Sequence, residues 1–214
     1  MEGREEITRV LPRGRNAASR EVVQSSQRAR LIEAMRELAA REGANNVTIG
    51  QLAARAGVAK PTFYEHFQSK EELFIAVFDE DANGLVSAIT KSLDPDALTA
   101  ERIRVGVNAL LDYLAKDDDR ARVIAIEPPL AGPKAVKRLT EAHNMLAQFY
   151  ISLREDVRSH HPQVKPLSET RATAIVGAIT EPICAALREG KAADLVELED
   201  ELVEVVTLLA TNRA

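Results

Sequence analysis

Apolar positions set the first expectations. From about Ser25 they recur as Leu31, Ile32, Met35, Leu38 and Ala39, the three-and-four spacing that gives a helix one apolar face. Gly43 marks a stop, and Thr48 is a good N-cap for Ile49 to Arg55. Ala56-Gly57-Val58 then separates that stretch from a second short one, Lys60 to Phe67. Ser69 followed by Glu72 has the spacing of a capping box and predicts a longer helix. Its apolar side holds Leu73, Phe74, Val77, Phe78, Leu85 and Ile89, and Asp94-Pro95-Asp96 ends it.

The remainder keeps the helical period. Ile103, Val107, Leu110, Leu111 and Leu114 share a face, and a short helix through Val123 to Ile126 is stopped by Pro128-Pro129. A long stripe follows at Val136, Leu139, His143, Leu146, Tyr150, Leu153 and Val157, and another at Leu195, Leu198, Leu202, Val205 and Leu209. Ile175, Ile179 and Ile183 mark one more helix, in which Pro182 predicts a kink or a restart. There is no convincing strand alternation and no repeat of fixed period, so the expected fold class is all-α. Three regions are expected: a flexible basic arm over 1–24, a helix-turn-helix domain over 25–70 and a larger helical domain over 71–214.

Composition narrows the class. The 214 residues are 45% apolar and 29% charged, with one cysteine and a net charge of -5. A chain of this length can bury a core without disulfides or metal staples, and Cys184 has no internal partner to bridge to. The longest apolar run, Leu73 to Phe78, has six residues, whereas a helical membrane span takes about 20. With charged residues rather than a hydrophobic leader at the start, the chain reads as cytoplasmic. Charge is unevenly placed: residues 9–70 hold eleven Lys/Arg and five Asp/Glu, a balance of +6, against -11 elsewhere. A basic segment suits a polyanionic partner, while the acidic remainder argues against indiscriminate coating of nucleic acid.

Two short helices around a glycine turn are the sequence form of a helix-turn-helix, whose second helix enters the DNA major groove. Around this turn stand Lys60, Thr62, Tyr64, His66 and Lys70, which offer two cations, a hydroxyl, a phenol and an imidazole to phosphate or base edges. Ala53, Val58, Phe63 and Phe67 would hold the two helices together. The stretch from Val47 to Leu73, with its Gly57-Val58, Thr62-Phe63-Tyr64-Glu65-His66-Phe67 and Ser69-Lys70-Glu71-Glu72-Leu73 elements, resembles the DNA-binding signature of TetR-family transcriptional regulators.

That resemblance covers about the first third of the chain. It implies that Thr48, Tyr64, His66 and Lys70 contact the phosphate backbone and that Lys60, Pro61 and Thr62 lie where relatives approach base edges. In chemical terms, Lys60 could reach guanine O6 and N7, and the Thr62 methyl could meet a thymine methyl. The bland alternatives are that Lys60 only adds charge and that His66 is a solvated helix residue.

The resemblance also implies a homodimer whose last two helices from each subunit form a four-helix bundle. Ile175, Ile179, Ile183, Leu195, Leu198, Leu202, Val205 and Leu209 are the expected dimerisation residues, and Val196, Val203, Val206 and Leu208 widen the apolar surface. The alternative is a core helix buried within one subunit. A two-fold dimer would select a pseudo-palindromic operator. In the arm, Pro12-Arg13-Gly14-Arg15 resembles the Arg-Gly-Arg core of AT-hook peptides, so Arg13 and Arg15 are candidates for the minor groove; a solubilising leader is the alternative.

Family members hold a small-molecule pocket among their middle helices, here expected between about residues 70 and 160. Phe78, Leu111, Tyr113, His143, Leu146, Phe149 and Tyr150 are the candidate effector-binding residues, suiting a largely apolar ligand. His143 as a satisfied core histidine and Glu127 as an ordinary surface carboxylate at a helix end are the plainer readings. No cofactor or metal is expected, and no enzyme: the chain lacks a Gly-rich phosphate loop, zinc-ligand spacing, a His-Glu-x-x-His run and a Gly-x-Ser-x-Gly elbow. Cys184 in an apolar run reads as a buried structural thiol, and His160-His161 as a solvated helix end. The expected function is a dimeric, sequence-specific transcriptional regulator, most simply a repressor released by its effector. An effector-independent architectural or adaptor DNA-binding protein is the competing class.

Overall fold

The structure is a computed structural model that describes residues 20–94 and 97–211. Its described residues form ten α-helices and one 3₁₀ segment, with no strand among them. The helices are α1 (Arg20–Glu42), α2 (Ile49–Ala56), α3 (Lys60–His66), α4 (Lys70–Ser92), α5 (Thr99–Ala115), α6 (Asp118–Ala125), α7 (Pro128–Ala131), α8 (Pro133–His160), α9 (Glu169–Arg188) and α10 (Glu199–Thr211), the 3₁₀ segment being Ala192–Leu198.

Several expected boundaries move. Helix α1 already begins at Arg20, inside the stretch expected to be an arm, while Arg13 and Arg15 lie outside the described residues. Pro128-Pro129 opens the single turn α7 as well as closing the segment before it, because proline is well suited to a first helical turn. Pro182 sits within α9, which runs through it without a restart. The stripe from Leu195 to Leu209 is divided between the 3₁₀ segment and α10, so Leu195 and Leu198 do not share a helix with Leu202.

Two cores organise the molecule. The first gathers Leu31, Met35, Leu52, Phe63, Phe67 and Leu73 and continues along α4 through Phe78; it also takes in Val123 of α6 and Ala135 of α8. The second fills the space among α5, α8, α9 and α10 with residues such as Leu111, Leu114, Leu153, Ile179, Leu187 and Val206. Helix α4 therefore starts in the N-terminal head and ends against α5, giving head and body one shared beam.

Between the cores, Arg36 of α1 meets Asp81 of α4, a carboxylate only 2% exposed, through Nε–Oδ2 and Nη2–Oδ1 contacts of 3.0 and 2.9 Å. Burial disfavours the Arg36 cation, but the hydrogen bonds and charge of Asp81 outweigh that and hold its pKa above the ordinary value. Arg120 of α6 lies 3.5 Å from the same carboxylate and stacks over Tyr113, whose hydroxyl donates to the Asp81 carbonyl at 3.0 Å. This approach requires Gly84, since a Cβ there would stand 2.3 Å from the tyrosine oxygen. Helices α1, α4, α5 and α6 are thus tied by one buried polar knot.

Candidate nucleic-acid interface

The turn between α2 and α3 follows from local chemistry. Thr48 Oγ1 accepts from the Gln51 amide and donates to Gln51 Oε1 at 2.7 Å, and the Thr48 amide donates to the same oxygen, so α2 begins with a full capping box. Gly57 ends α2 in the left-handed conformation, at φ 63°, where a side chain would be strained. Arg30 of α1 then covers the turn, donating from Nη1 to the carbonyls of Ala56 at 2.6 Å and Gly57 at 3.3 Å. Nothing in the local pattern marked Arg30: its partners are 26 and 27 residues away.

Helix α3 is anchored by one face and free on the other. Phe63 is buried completely, Phe67 nearly so, and the rings lie 6.2 Å apart. Around them Lys60, Pro61 and Glu65 are exposed, Thr62 is half-buried, and Tyr64 is 58% exposed with its ring packed edge-on to Phe63. A buried aromatic pair thus fixes the helix while its neighbours in sequence face outward. Helix α1 widens this surface: Gln27 is 3.2 Å from His66 Nε2, and the Arg28 guanidinium lies over the Phe67 ring.

Two expected phosphate contacts have local work in this conformation. The Lys70 ammonium donates to the carbonyls of Asn45 at 2.7 Å, Val47 at 2.9 Å and Ala44 at 3.2 Å, using its three donors to hold the α1–α2 loop. The Thr48 hydroxyl is engaged by Gln51, although the residue is exposed. Lys60, Pro61 and Tyr64 are exposed, and Thr62 and His66 are half-buried.

The body meets this head through residues that the sequence had left ordinary. Glu127 is 1% exposed, a correction to its reading as a surface carboxylate; its Oε2 accepts from the Ala44 amide at 2.8 Å. Burial raises its pKa above the usual carboxylate value, opposed by that hydrogen bond and by Arg122. Arg122 donates to the Ala40 carbonyl in α1 at 3.0 Å and to the Leu187 carbonyl in α9 at 3.1 Å, with Glu127 3.8 Å away. One arginine therefore joins the carbonyl-rich end of the head's first helix to that of a body helix. At the neighbouring contact, Glu71 of α4 accepts from the Lys134 amide at the start of α8.

The expected effector residues are not gathered around one cavity. Phe78 belongs to the head core, Leu111 is fully buried in the body core, and Tyr113 lies in the knot beneath Arg120. His143 is half-buried, with its pKa lowered by burial, and Leu146 and Phe149 pack at the edge of the body core. Of the seven, Tyr150 alone lines the body's crevice of about 30 Å³. A larger, open groove of about 520 Å³ lies instead along α1, between Glu21 and Arg30.

The expected dimerisation residues also require correction. Ile175, Ile179, Ile183, Leu195 and Leu202 are buried inside the subunit's own core, where they have no surface to give a partner; Leu198, Val205 and Leu209 are half-buried. A helical period shows which residues share a face but not which neighbour covers it. Val196, Leu208 and Gly177 are among the positions left open on these elements. Cys184 is buried, as expected, and donates to the Ala125 carbonyl. Among the described residues no cluster has the makings of a metal site, and no helix is long and apolar enough to cross a membrane.

The described residues thus form a capped helix-turn-helix carried by α1 and set on an all-helical body. Residues 31–77 match the profile of bacterial regulatory proteins of the tetR family. It is 32% identical over 136 residues to the HTH-type transcriptional activator FasR of Mycolicibacterium smegmatis, covering 61% of each protein; the chain thus spans about three-fifths of that relative's length. To the fatty acid metabolism regulator protein of Bacillus subtilis it is 22% identical over 181 residues, 82% of this chain and 91% of the relative. The crystal structure of FadR from Bacillus subtilis in complex with stearoyl-CoA superposes with a TM-score of 0.74 at 21% identity, covering 87% of this chain and 99% of the other, which shows a shared fold. These relatives are regulators and not enzymes.

Proposed function

We propose that the protein is a dimeric, sequence-specific transcriptional regulator that binds a pseudo-palindromic operator and is released from it by a small, largely apolar effector, acting as a repressor. The observation that carries the reading is α3: buried Phe63 and Phe67 fix it, while Lys60, Pro61 and Tyr64 stand outward beside a half-buried Thr62. In this reading Lys60, Pro61 and Thr62 approach base edges, and Tyr64, His66 and Thr48 approach phosphates. Arg28 of α1 lies close enough to α3 to add a phosphate contact. Lys70 acts indirectly by holding the α1–α2 loop.

Arg122, Glu127 and Glu71 supply a route by which a change in the body could move the head. A ligand that binds one dimer shape more tightly shifts the population toward it, and operator and effector then oppose one another reciprocally. Fatty-acid regulators among the relatives favour an effector with a long alkyl chain. Dimerisation would use the open faces of α9, the 3₁₀ segment and α10, including Gly177, Val196 and Leu208.

The direct test is selection of bound duplexes from a random library at about 0.15 M salt, which suppresses weak electrostatic binding. One enriched pseudo-palindrome is expected, with binding lost in Tyr64→Ala while the fold persists. No enrichment, or enrichment unaffected by Tyr64→Ala and Lys60→Ala together, would overturn the reading. A reporter behind the selected operator then reads the sign of regulation.

A further inference from the structure

Helix α3 is too short to hold its own orientation. It has seven residues, its N-cap is Ala59, and no side chain caps it, whereas isolated helices below about 12–15 residues are marginal in water. Phe63 and Phe67 bury one side and set how deep the helix sits. Apolar contact is non-directional, so the angle at which α3 starts needs a second constraint.

The turn that leads into α3 supplies the place for one. Its own backbone closes the first part: the Gly57 amide donates to the Ala54 carbonyl at 3.2 Å and the Val58 amide to the Ala53 carbonyl at 2.9 Å. The carbonyls of Ala56 and Gly57 turn instead to α1, where Arg30 Nη1 donates to them at 2.6 and 3.3 Å. A cation is favoured there, at the carbonyl end of α2. The fit is close, since a Cβ on Gly57 would stand 3.2 Å from that nitrogen.

Arg30 is committed to this contact. It is half-buried, no carboxylate among the described residues pairs with it, and its Nε is buried without a hydrogen-bond partner. Buried donors are ordinarily satisfied; here one is left over while another reaches two carbonyls. The same turn of α1 also touches the far end of α3. Gln27 lies 3.2 Å from His66 Nε2, and the Arg28 guanidinium stands 5.2 Å from the centre of the Phe67 ring. Residues 27–30 therefore bracket the helix, Arg30 just before its start and Gln27 and Arg28 at its end.

We propose that Arg30 is a positioning residue for operator recognition: its two carbonyl contacts fix the angle at which α3 leaves the turn, and so where Lys60, Pro61 and Thr62 meet base edges. Arg30 itself touches neither base nor phosphate. The proposal rests on the reading of the protein as a sequence-specific DNA-binding regulator. Base-edge contacts demand exact placement, whereas attraction to phosphate depends on charge and tolerates a small rotation. Loss of the Arg30 contact should therefore lower specific binding and spare non-specific binding.

The experiment titrates the full chain by fluorescence anisotropy against the selected operator and a scrambled duplex of the same length, over a range of salt. Arg30→Met keeps the long stem and removes the donors. At a temperature where its melting curve shows it folded, it should bind the operator about tenfold more weakly, with affinity for the scrambled duplex and both salt slopes unchanged. Arg30→Lys, which restores donors within reach, should recover most of that loss. Arg30→Gln, whose amide ends where the Nε stands, should match the methionine variant and replaces it if that variant is unfolded. Equal loss on both duplexes with a shallower salt slope would make Arg30 a phosphate contact. Wild-type affinity for both duplexes in a folded variant would leave it a contributor to stability only. Either result overturns the role of Arg30 alone, whereas a wild-type chain that prefers no duplex overturns the regulator reading itself.

Discussion

The head and the body are built from the same kind of amphipathic helix, yet they differ in how their polar groups are satisfied. In the head, the helix caps are closed by near neighbours, Thr48 with Gln51, Gly57 with Ala53 and Ala54, Ser69 with Glu72, while Arg30 and Lys70 reach across to the two loops. In the knot and at the junction with the body, charged side chains find partners tens of residues away, as Arg36 does with Asp81 and Arg122 with Ala40 and Leu187. The first arrangement presents a fixed outward face. The second places charge between packed elements, where a lost partner leaves a group without water to replace it.

Substitutions can separate these two modes of support. The largest effect is expected where either is cut at its root. Phe63→Ala should cost about 3–5 kcal/mol of stability by opening a cavity under α3, and Asp81→Ala about 3 kcal/mol by removing the buried partner of Arg36 and leaving it only the exposed Glu33 and Glu80. Urea unfolding measures both, and a loss below about 1 kcal/mol for Asp81→Ala would show that water reaches Arg36. Glu127→Ala should cost about 1–3 kcal/mol by orphaning the Ala44 amide. Glu127→Gln retains an acceptor and should cost much less. Amide exchange at Ala44 distinguishes the two, quickening in the alanine variant only.

Thr48→Ala should cost about 0.5–2 kcal/mol, the usual range for a lost N-cap, with fraying confined to the start of α2. The smallest effect concerns pH. Burial lowers the pKa of His143, so the folded state favours the neutral ring. Its contribution is present above the ordinary histidine pKa and is lost as pH falls toward and through the lowered folded value. Acidification from pH 7 to 5 should therefore destabilise the wild type slightly more than His143→Leu, read from denaturant midpoints. An equal loss in both would place the acid sensitivity elsewhere.

Much of the head was legible in advance because its signals are short-range. The turn at Gly57, the caps at Thr48 and Ser69 and the outward side of α3 depend on residues within one or two helical turns of each other. Lys70 was read as a phosphate contact because its type and position suit one; its engagement with three loop carbonyls depends on how α4 is packed against the end of α1. The body was less legible for a related reason. The stripe Ile175, Ile179, Ile183 is as apolar as a subunit interface, but α8 and α10 of the same chain cover α9 first. Glu127 beside a proline pair had the appearance of a solvated helix end until the α1–α2 loop closed over it.

The sequence by itself determined the helical class, the capped helix-turn-helix and the separation of a basic head from an acidic remainder, since periodicity, caps and charge are properties of near neighbours. Tertiary structure alone decided which apolar stripe became core and which cations were taken up by carbonyls. Those outcomes depend on contacts between residues distant in the chain. A helical pattern states which face must be covered, and only packing chooses what covers it.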